Sequence, residues 1–450
     1  MSLKGEGVGG FKRNVILVAG GTAFAQFVSL LFIPLLTRLY TPSDFAVLAL
    51  VGAIVAITSS VACLRFEVAI PIPAEDKAGF ELLCLALFSC VILSLFFSAI
   101  FFIFIQFYDD VIDARQFWAI WSLLSVGMIF IGGYRSLQFW STRKKNFGDI
   151  SRTRVTQSLS GVTAQVVSGF AGLGGVGLVL GLVLTQAGGV FYLVKRCYLD
   201  IKTHAPLISY VGLRDAAAEY SNFPKYSALE ALFSATSLQL PILIIAVYAD
   251  SAELGCLALA LKIMAAPVLL VGNAVAQVFL AEASKADARG ELEGFTTKLI
   301  GKLLLIGGPL LVTGGVVAKL ILPVVLGSEW GRVGELMVWM LPWFVLQFIT
   351  SPVYMVFNVR NRQRYALVLQ VSGLVLRCLP IVVVGELAVG FLSEVYAVSS
   401  FMFYVLYFYA VADVANIQLL ELMKSCFLGA ALSLLAIGGG IVVLSFWAGA

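Results

Sequence analysis

The sequence predicts an all-α, polytopic integral membrane protein, and three observations carry that prediction. Apolar residues make up 60% of the 450-residue chain and charged residues only 12%, where soluble domains carry roughly 25% charge. The mean hydropathy is +0.98. The apolar residues also gather into thirteen runs, each about as long as the roughly 20 residues a helix needs to cross a bilayer. In lipid a spanning segment must satisfy its own backbone hydrogen bonds, so each run is expected to be a helix.

The runs cover 14–39, 45–64, 80–107, 117–140, 155–173, 176–194, 223–249, 254–280, 298–326, 334–358, 365–389, 391–412 and 425–447. The fifth and sixth are the shortest and are joined by a glycine turn. If the N-terminus is cytoplasmic, twenty-two of the 30 Lys and Arg residues fall in inner segments. Only Arg115 and Arg332 fall in outer loops. The remaining six, Arg38, Arg135, Lys262, Lys302, Lys319 and Arg377, lie within or at the ends of runs. This asymmetry sets an N-in orientation by the positive-inside rule, and the odd number of runs places the C-terminus outside.

The longest inner connection divides the first twelve runs six and six. The expected organisation is an N-terminal six-helix bundle over 1–200, a cytoplasmic linker over 201–222, a C-terminal six-helix bundle over 223–412 and an additional helix within 413–450. One or two further C-terminal helices would complete the chain. Weak internal similarity fits this division. Arg143-Lys144-Lys145-Asn146-Phe147 and Arg360-Asn361-Arg362-Gln363-Arg364-Tyr365 each precede a helix rich in small residues. Pro34 and Tyr40 precede Asp44-Phe45-Ala46, much as Pro241 and Tyr248 precede Glu253-Leu254-Gly255. Parallel repeats of this kind flank a substrate path; similar loops obeying one topology rule would give the same pattern.

Several function classes are excluded by what the chain lacks. The run Gly172-Leu173-Gly174-Gly175-Val176-Gly177 fits GxGxxG, but a dinucleotide site needs a preceding strand. It reads as the turn between the fifth and sixth runs. No Walker A lysine motif is present. His204 is the only histidine, so neither a metal centre nor Ser-His-Asp catalysis is expected. The seven cysteines form no CxxC pair and read as small membrane hydrophobes. An enzyme, a cofactor and a nucleic-acid partner are not expected, nor is a cleavable signal peptide.

The charges inside the runs point to function. A central charge costs about 3 kcal/mol on insertion scales, so such residues face a wet cavity or a partner. Arg377 is near the middle of the eleventh run, with Gln370 and Gly373 on its face. Lys262 shares a face with Ala266, Leu269, Asn273 and Gln277. Arg135 is in the inner half of the fourth run beside Gln138. Gln26 gives the first run a polar stripe with Thr22 and Ser29. Glu230 heads the stripe Ser234, Ser237 and Pro241, and is either a cation-coupling carboxylate or a structural partner for one of the bases. Lys302 and Lys319 read as snorkelling side chains. For Arg135, Lys262 and Arg377 a polar lumen is the expected surrounding, against helix–helix glue as the alternative. Three cations against one acid would favour an anionic head group such as a phosphate. The segment 281–297 reads as a short inner connecting helix.

Two segments carry a family resemblance. Ile33-Pro34-Leu35-Leu36-Thr37-Arg38-Leu39-Tyr40-Thr41-Pro42-Ser43-Asp44-Phe45 resembles the end of the first helix in bacterial oligosaccharide flippases of the Wzx type. Arg65-Phe66-Glu67-Val68-Ala69-Ile70 resembles that family's segment after the second helix. The resemblance implies membership of the superfamily of multidrug, oligosaccharidyl-lipid and polysaccharide exporters. It implies alternating access in the bacterial inner membrane and movement of polyprenyl-diphosphate-linked oligosaccharide for surface polysaccharide or lipopolysaccharide assembly. Members commonly have twelve or fourteen helices, and thirteen runs depart from that. The candidate substrate-binding residues are Arg135, Lys262, Arg377, Gln26, Asn273, Arg38 and Arg65, with Glu230 as the coupling residue. Expected partners are the lipid-linked oligosaccharide, membrane lipids, a coupling H+ or Na+, and a polysaccharide polymerase. A cation-coupled drug exporter of the same fold would need an acid-lined lumen. A polymerase or acyltransferase would need large loops or clustered His and Asp. A non-transporting scaffold would leave the buried bases without a role.

Overall fold

The computed structural model describes residues 8–104, 114–360, 362–418, 427, 431, 432 and 435. Seventeen α-helices are described, and no strand among these residues. They are α1 (Val8–Leu31), α2 (Ile33–Leu39), α3 (Pro42–Ser59), α4 (Phe66–Ala69), α5 (Asp76–Phe104), α6 (Ala114–Arg143), α7 (Phe147–Phe170), α8 (Gly175–Ala187), α9 (Val190–His204), α10 (Tyr210–Glu219), α11 (Ala228–Tyr248), α12 (Ser251–Ala288), α13 (Leu292–Leu326), α14 (Gly331–Thr350), α15 (Val356–Val359), α16 (Gln363–Leu387) and α17 (Leu392–Val414). Among the described residues, eleven segments are long and apolar enough to cross a membrane. Together they make the all-helical, multi-pass membrane architecture that the composition predicts. The run at 425–447 falls almost wholly outside the described residues. The chain divides into two compact units, residues 1–239 and 240–450.

In the first unit, α3 starts on a capping box. Thr41 Oγ1 accepts from the Asp44 amide at 3.3 Å, and Asp44 Oδ2 accepts from the Thr41 amide at 2.9 Å. Pro42 sits in the first turn, where its missing N–H costs nothing. Helix α7 packs between α1 and α8. It is the least apolar of the long helices and buries a polar stripe: Asp149, Thr153, Gln157, Gly161, Gln165 and Ser168. The stripe is paired with side chains and backbone of neighbouring segments. Gln157 Nε2 donates to the Gln186 carbonyl at 2.8 Å, and the Tyr40 hydroxyl donates to the Gln165 carbonyl at 2.5 Å. Gly161 and Gly181 make this contact possible, since a Cβ on either would lie 2.9 or 2.8 Å from the other's carbonyl oxygen. Small residues that let helix backbones touch are the usual interface in membranes. The 172–177 glycine run forms the turn from α7 into α8 and the start of α8 itself.

Helices α5 and α6 pack against each other in the same unit. At one end Arg143 joins them to the chain before α5. Its Nε donates to Asp76 at 3.0 Å and its Nη1 to the carbonyls of Ile70 and Pro73 at 3.1 and 2.6 Å. Further along, Cys90 on α5 reaches the Met128 and Ile129 carbonyls of α6, at 3.7 Å each.

In the second unit α14 packs against α12, α13 and α17, and α16 packs on α17. Arg332 ties three helix starts together. It pairs with Glu253 at the start of α12 through Nε and Nη2, at 3.0 and 3.1 Å, and with Glu394 at the start of α17 at 2.5 Å. The expected outer loop around Arg332 is thus the first turn of α14.

One other expectation is corrected. The segment 281–297 is not a separate helix. Nothing in 251–288 stops α12, which runs 38 residues through Pro267. It ends at Gly290, whose φ of +71° closes the helix while Glu291 N–H donates to the Ala286 carbonyl at 2.8 Å. The linker 201–222 is largely helical, because α9 continues to His204 and α10 follows. A Cβ on Gly212 of α10 would run into the Glu81 carboxylate of α5, so α10 lies tightly against that helix.

Candidate functional site

The connection from α3 to α5 is a broken helix, not a solvated loop. Helix α3 stops at Ser59, six residues of turn follow, and the single turn α4 covers Phe66–Ala69. Leu64 and Arg65 take left-handed backbone, with φ of +51° and +62°. Two successive non-glycine residues in that region are strained and persist only where the surroundings hold them. The surroundings are α5 and α6. Phe66, Ala69 and Ile70 share a buried core with Phe80, Leu83, Cys90, Tyr134 and Leu137. Cys63 Sγ lies 3.6 Å from the Gly132 carbonyl and 3.5 Å from Ser136 Oγ on α6. Gly132 is eleven residues before Arg143, which is roughly 16 Å along a helix. The break therefore lies well inside the length of the α5–α6 pair. Non-helical backbone at such depth occurs where it is buried in protein or lines a cavity.

Charged side chains gather at this break. Arg135, on α6, donates from Nη1 to the Ser59 carbonyl at 2.5 Å, at the end of α3. That carbonyl belongs to the last turn, where intrahelical donors are missing and the helix dipole favours a cation. Arg65, Arg154 and Glu67 lie within electrostatic reach of Arg135. Arg154, from α7, donates from Nη2 to Gln138 Oε1 at 3.3 Å and sits 6.0 Å from the centre of the Tyr134 ring. Tyr134 is held by a 2.8 Å hydrogen bond between its hydroxyl and that of Thr153. Glu67 is 2% exposed.

Two arginines, Arg65 and Arg135, thus act on one buried carboxylate, and Arg154 adds a third cation beside Arg135, leaving an excess of two positive charges. The hydrogen-bond inventory is also incomplete. Arg65 Nε, Arg154 Nε and Glu67 Oε2 are buried without hydrogen-bond partners. Buried polar atoms are normally paired, so unpaired guanidinium donors around a net positive centre favour an anion with several acceptor oxygens.

The other expected residues are distributed as follows. Arg65 and Arg135 meet at the break. Gln26 is half-buried on α1, and Arg38 is exposed at the end of α2. Lys262 is half-buried on α12 and makes no hydrogen bond or ion pair among the described residues. Asn273 is on α12, and its side chain lies outside the described ones. Glu230 is exposed on α11. Arg377 is buried in α16 among aromatic rings.

Sequence reasoning missed Glu67 and Arg154. Arg154 was counted among loop charges near the basic segment 143–154. Glu67 carried a signal that could have been used: Phe66 before it and Val68-Ala69-Ile70 after it are all apolar, which is unusual for a solvated loop acid.

Fold and site together define an all-helical, multi-pass membrane protein with a buried cationic centre in its first unit. The model of the polysaccharide biosynthesis protein family matches residues 35–334, and the chain belongs to that family. Solved structures share the fold at low identity. The chain is similar to the lipid II flippase MurJ in an inward closed conformation, with 13% identity, a TM-score of 0.71, and coverage of 96% of this chain and 98% of that one. It is also similar to an inward-facing multidrug resistance MATE family transporter of the MOP superfamily, at 14% identity and a TM-score of 0.58, over 89% of this chain and 94% of that one. A MOP superfamily transporter from Pyrococcus furiosus matches at 12% identity and a TM-score of 0.51, over 94% and 96% of the two chains. No curated protein matches the sequence.

Proposed function

We propose that the chain is a flippase that moves polyprenyl-diphosphate-linked oligosaccharide from the inner to the outer leaflet of the bacterial inner membrane by alternating access. The N-terminus is cytoplasmic in this reading, as the Lys and Arg asymmetry requires. The observation that carries the reading is the group of Arg65, Arg135 and Arg154 at the broken α3–α5 connection, with Glu67 beside the first two and unpaired donors on Arg65 and Arg154. A diphosphate brings the charge and the acceptor oxygens those donors lack. The polyprenyl tail stays in lipid, and the sugar needs only the adaptable hydrogen bonding that Gln138 and neighbouring hydroxyls offer.

The family supports a role in polysaccharide assembly. The sign of the charge favours a lipid diphosphate over a cationic drug, which a net positive centre repels. A gradient of H+ or Na+ supplies the driving force in this proposal. Two acids are candidates for coupling: Glu230, exposed on α11, and Glu67, buried in the cluster. Lys262, Gln26, Asn273 and Arg38 remain further candidates for contact with the head group along its path. A polysaccharide polymerase is the expected recipient of the translocated product.

The test is genetic. In a strain lacking this chain, lipid-linked oligosaccharide should accumulate facing the cytoplasm, and surface polysaccharide should fall. Unchanged surface polysaccharide together with increased drug sensitivity would favour the drug-exporter reading instead.

A further inference from the structure

A second group of unpaired polar atoms lies in the second unit, around Arg377 on α16. Arg377 is 3% exposed. Its guanidinium carbon sits 4.2 Å from the centre of the Phe403 ring on α17. Gly373, one turn earlier on the same face, admits that ring, because a Cβ there would collide with it. Tyr396 and Tyr404 are within electrostatic reach of the guanidinium. Trp343, from α14, packs on both, with ring centres 5.3 Å from Tyr396 and 6.4 Å from Tyr404.

The polar atoms of this group are unsatisfied. Arg377 Nε, Trp343 Nε1 and Ser400 Oγ are buried without hydrogen-bond partners. Trp343 Nε1 lies near the Tyr404 hydroxyl, and Ser400 Oγ near that of Tyr396, without forming a bond. Among the described residues no carboxylate pairs with Arg377. Glu394, at the start of α17, is engaged by Arg332 instead, and Glu386 on α16 accepts from Tyr248 at 3.0 Å. A buried cation needs a counter-charge, and a buried donor needs an acceptor.

We infer that this cluster of side chains is a binding site for a small inorganic monoanion, chloride being the simplest. Two of the three unpaired groups, the guanidinium and the indole, can only donate, and the serine and tyrosine hydroxyls can all turn to donate. An anion satisfies them together, whereas water would leave the charge unbalanced. The size of the charge is set by the surroundings. One guanidinium balances one negative charge, and the rest of the lining is neutral and largely aromatic. A diphosphate would bring more charge than this site neutralises, which separates it from the three-arginine cluster of the first unit. The site stands whether or not the chain moves lipid-linked sugar.

The test uses the full chain in nanodiscs of phosphatidylcholine. Its thermal unfolding midpoint is followed as chloride replaces gluconate at constant ionic strength, with bromide and pyrophosphate as separate arms. Chloride and bromide should raise the midpoint with a saturable dependence. Arg377→Gln should abolish the effect. Trp343→Phe and Ser400→Ala should each weaken the apparent affinity about tenfold, as expected for losing one hydrogen bond to a charged ligand. If Arg377→Gln does not fold, the other two variants decide. A midpoint that ignores chloride in the unsubstituted chain would overturn the inference. So would a chloride response left intact in the folded variants. A pyrophosphate response that disappears with Arg377 while chloride has none would make this a phosphate site.

Discussion

Arg135 and Ser59 are joined by a 2.5 Å hydrogen bond from the guanidinium Nη1 to the backbone carbonyl. The bond places a cation from the middle of α6 on the C-terminal end of α3, where the helix gives way to left-handed Leu64 and Arg65. The same guanidinium therefore closes a helix end and lies within electrostatic reach of Arg65 and Arg154. These two jobs are separable by substitution. Arg135→Lys keeps the charge but loses the fork that reaches both the carbonyl and the cluster. It should retain fold and partial transport, while Arg135→Ala should lower transport at least tenfold. Transport is read as protection of lipid-linked sugar from an external glycosidase in proteoliposomes. Full transport by Arg135→Ala would remove Arg135 from the substrate path.

Among the described residues, Glu67 is the carboxylate that acts most strongly on Arg135. Glu67→Gln preserves shape and removes the charge that opposes an anionic ligand. It should tighten binding of a diphosphate head group by about tenfold, the scale expected from one nearby charge, and slow turnover because release becomes harder. Weaker binding in this variant would mean that Glu67 contributes by holding the arginines in place.

The packing of α5 on α6 sets a third expectation. A Cβ on Gly132 would collide with the Cys90 sulfur and crowd that of Cys63. Gly132→Ala should destabilise the chain by about 1–3 kcal/mol, the usual cost of overpacking. Adding Cys90→Ala should recover most of the loss in a thermal unfolding assay. Additive losses would show that the backbone, not the sulfur, limits the site.

Asp149, in the first turn of α7, gives the pH dependence. Burial pushes its carboxyl up. Hydrogen bonds from the Tyr192 hydroxyl at 2.7 Å and from Arg196 at 3.1 and 3.3 Å outweigh that and hold it below the ordinary value. Because the folded value is lower than the unfolded one, its stabilisation is present above the unfolded pKa of about 3.9. It is lost as pH falls through the folded value. Asp149→Asn should therefore lower the unfolding midpoint at pH 7 and show less further loss on acidification than the unsubstituted chain. An equal acid response in both would place the titrating group elsewhere.

Much of the fold was legible because hydrophobic runs and charge placement are one-dimensional signals. The run 80–107 contains the body of α5 as far as Phe104, and 391–412 matches α17 closely. The break between α3 and α5 was not legible. Val61-Ala62-Cys63-Leu64 is as apolar as the helix before it, and the turn there is imposed by contact with α6. Charges at the edge of a run normally mark the membrane surface, so Arg65 read as a loop residue. The return of α4 into the unit carries it inward instead. Arg154 was hidden in the same way by its basic neighbours, although α7 brings it to Gln138. The long α12 was missed because the charges after 281 resemble a connector, while nothing in the backbone stops the helix before Gly290. Arg377 was visible as a charge within an apolar run, but its aromatic surroundings come from α14 and α17, far away in sequence.

The central claim is that Arg65, Arg135 and Arg154 together hold a diphosphate. The most direct measurement is equilibrium binding of a short-chain prenyl-diphosphate sugar to the full chain in nanodiscs, compared among Arg65→Ala, Arg135→Ala, Arg154→Ala and the unsubstituted protein. Each substitution should weaken binding about tenfold or more, and binding should fall steeply with salt. Unchanged affinity in all three folded variants would contradict the account.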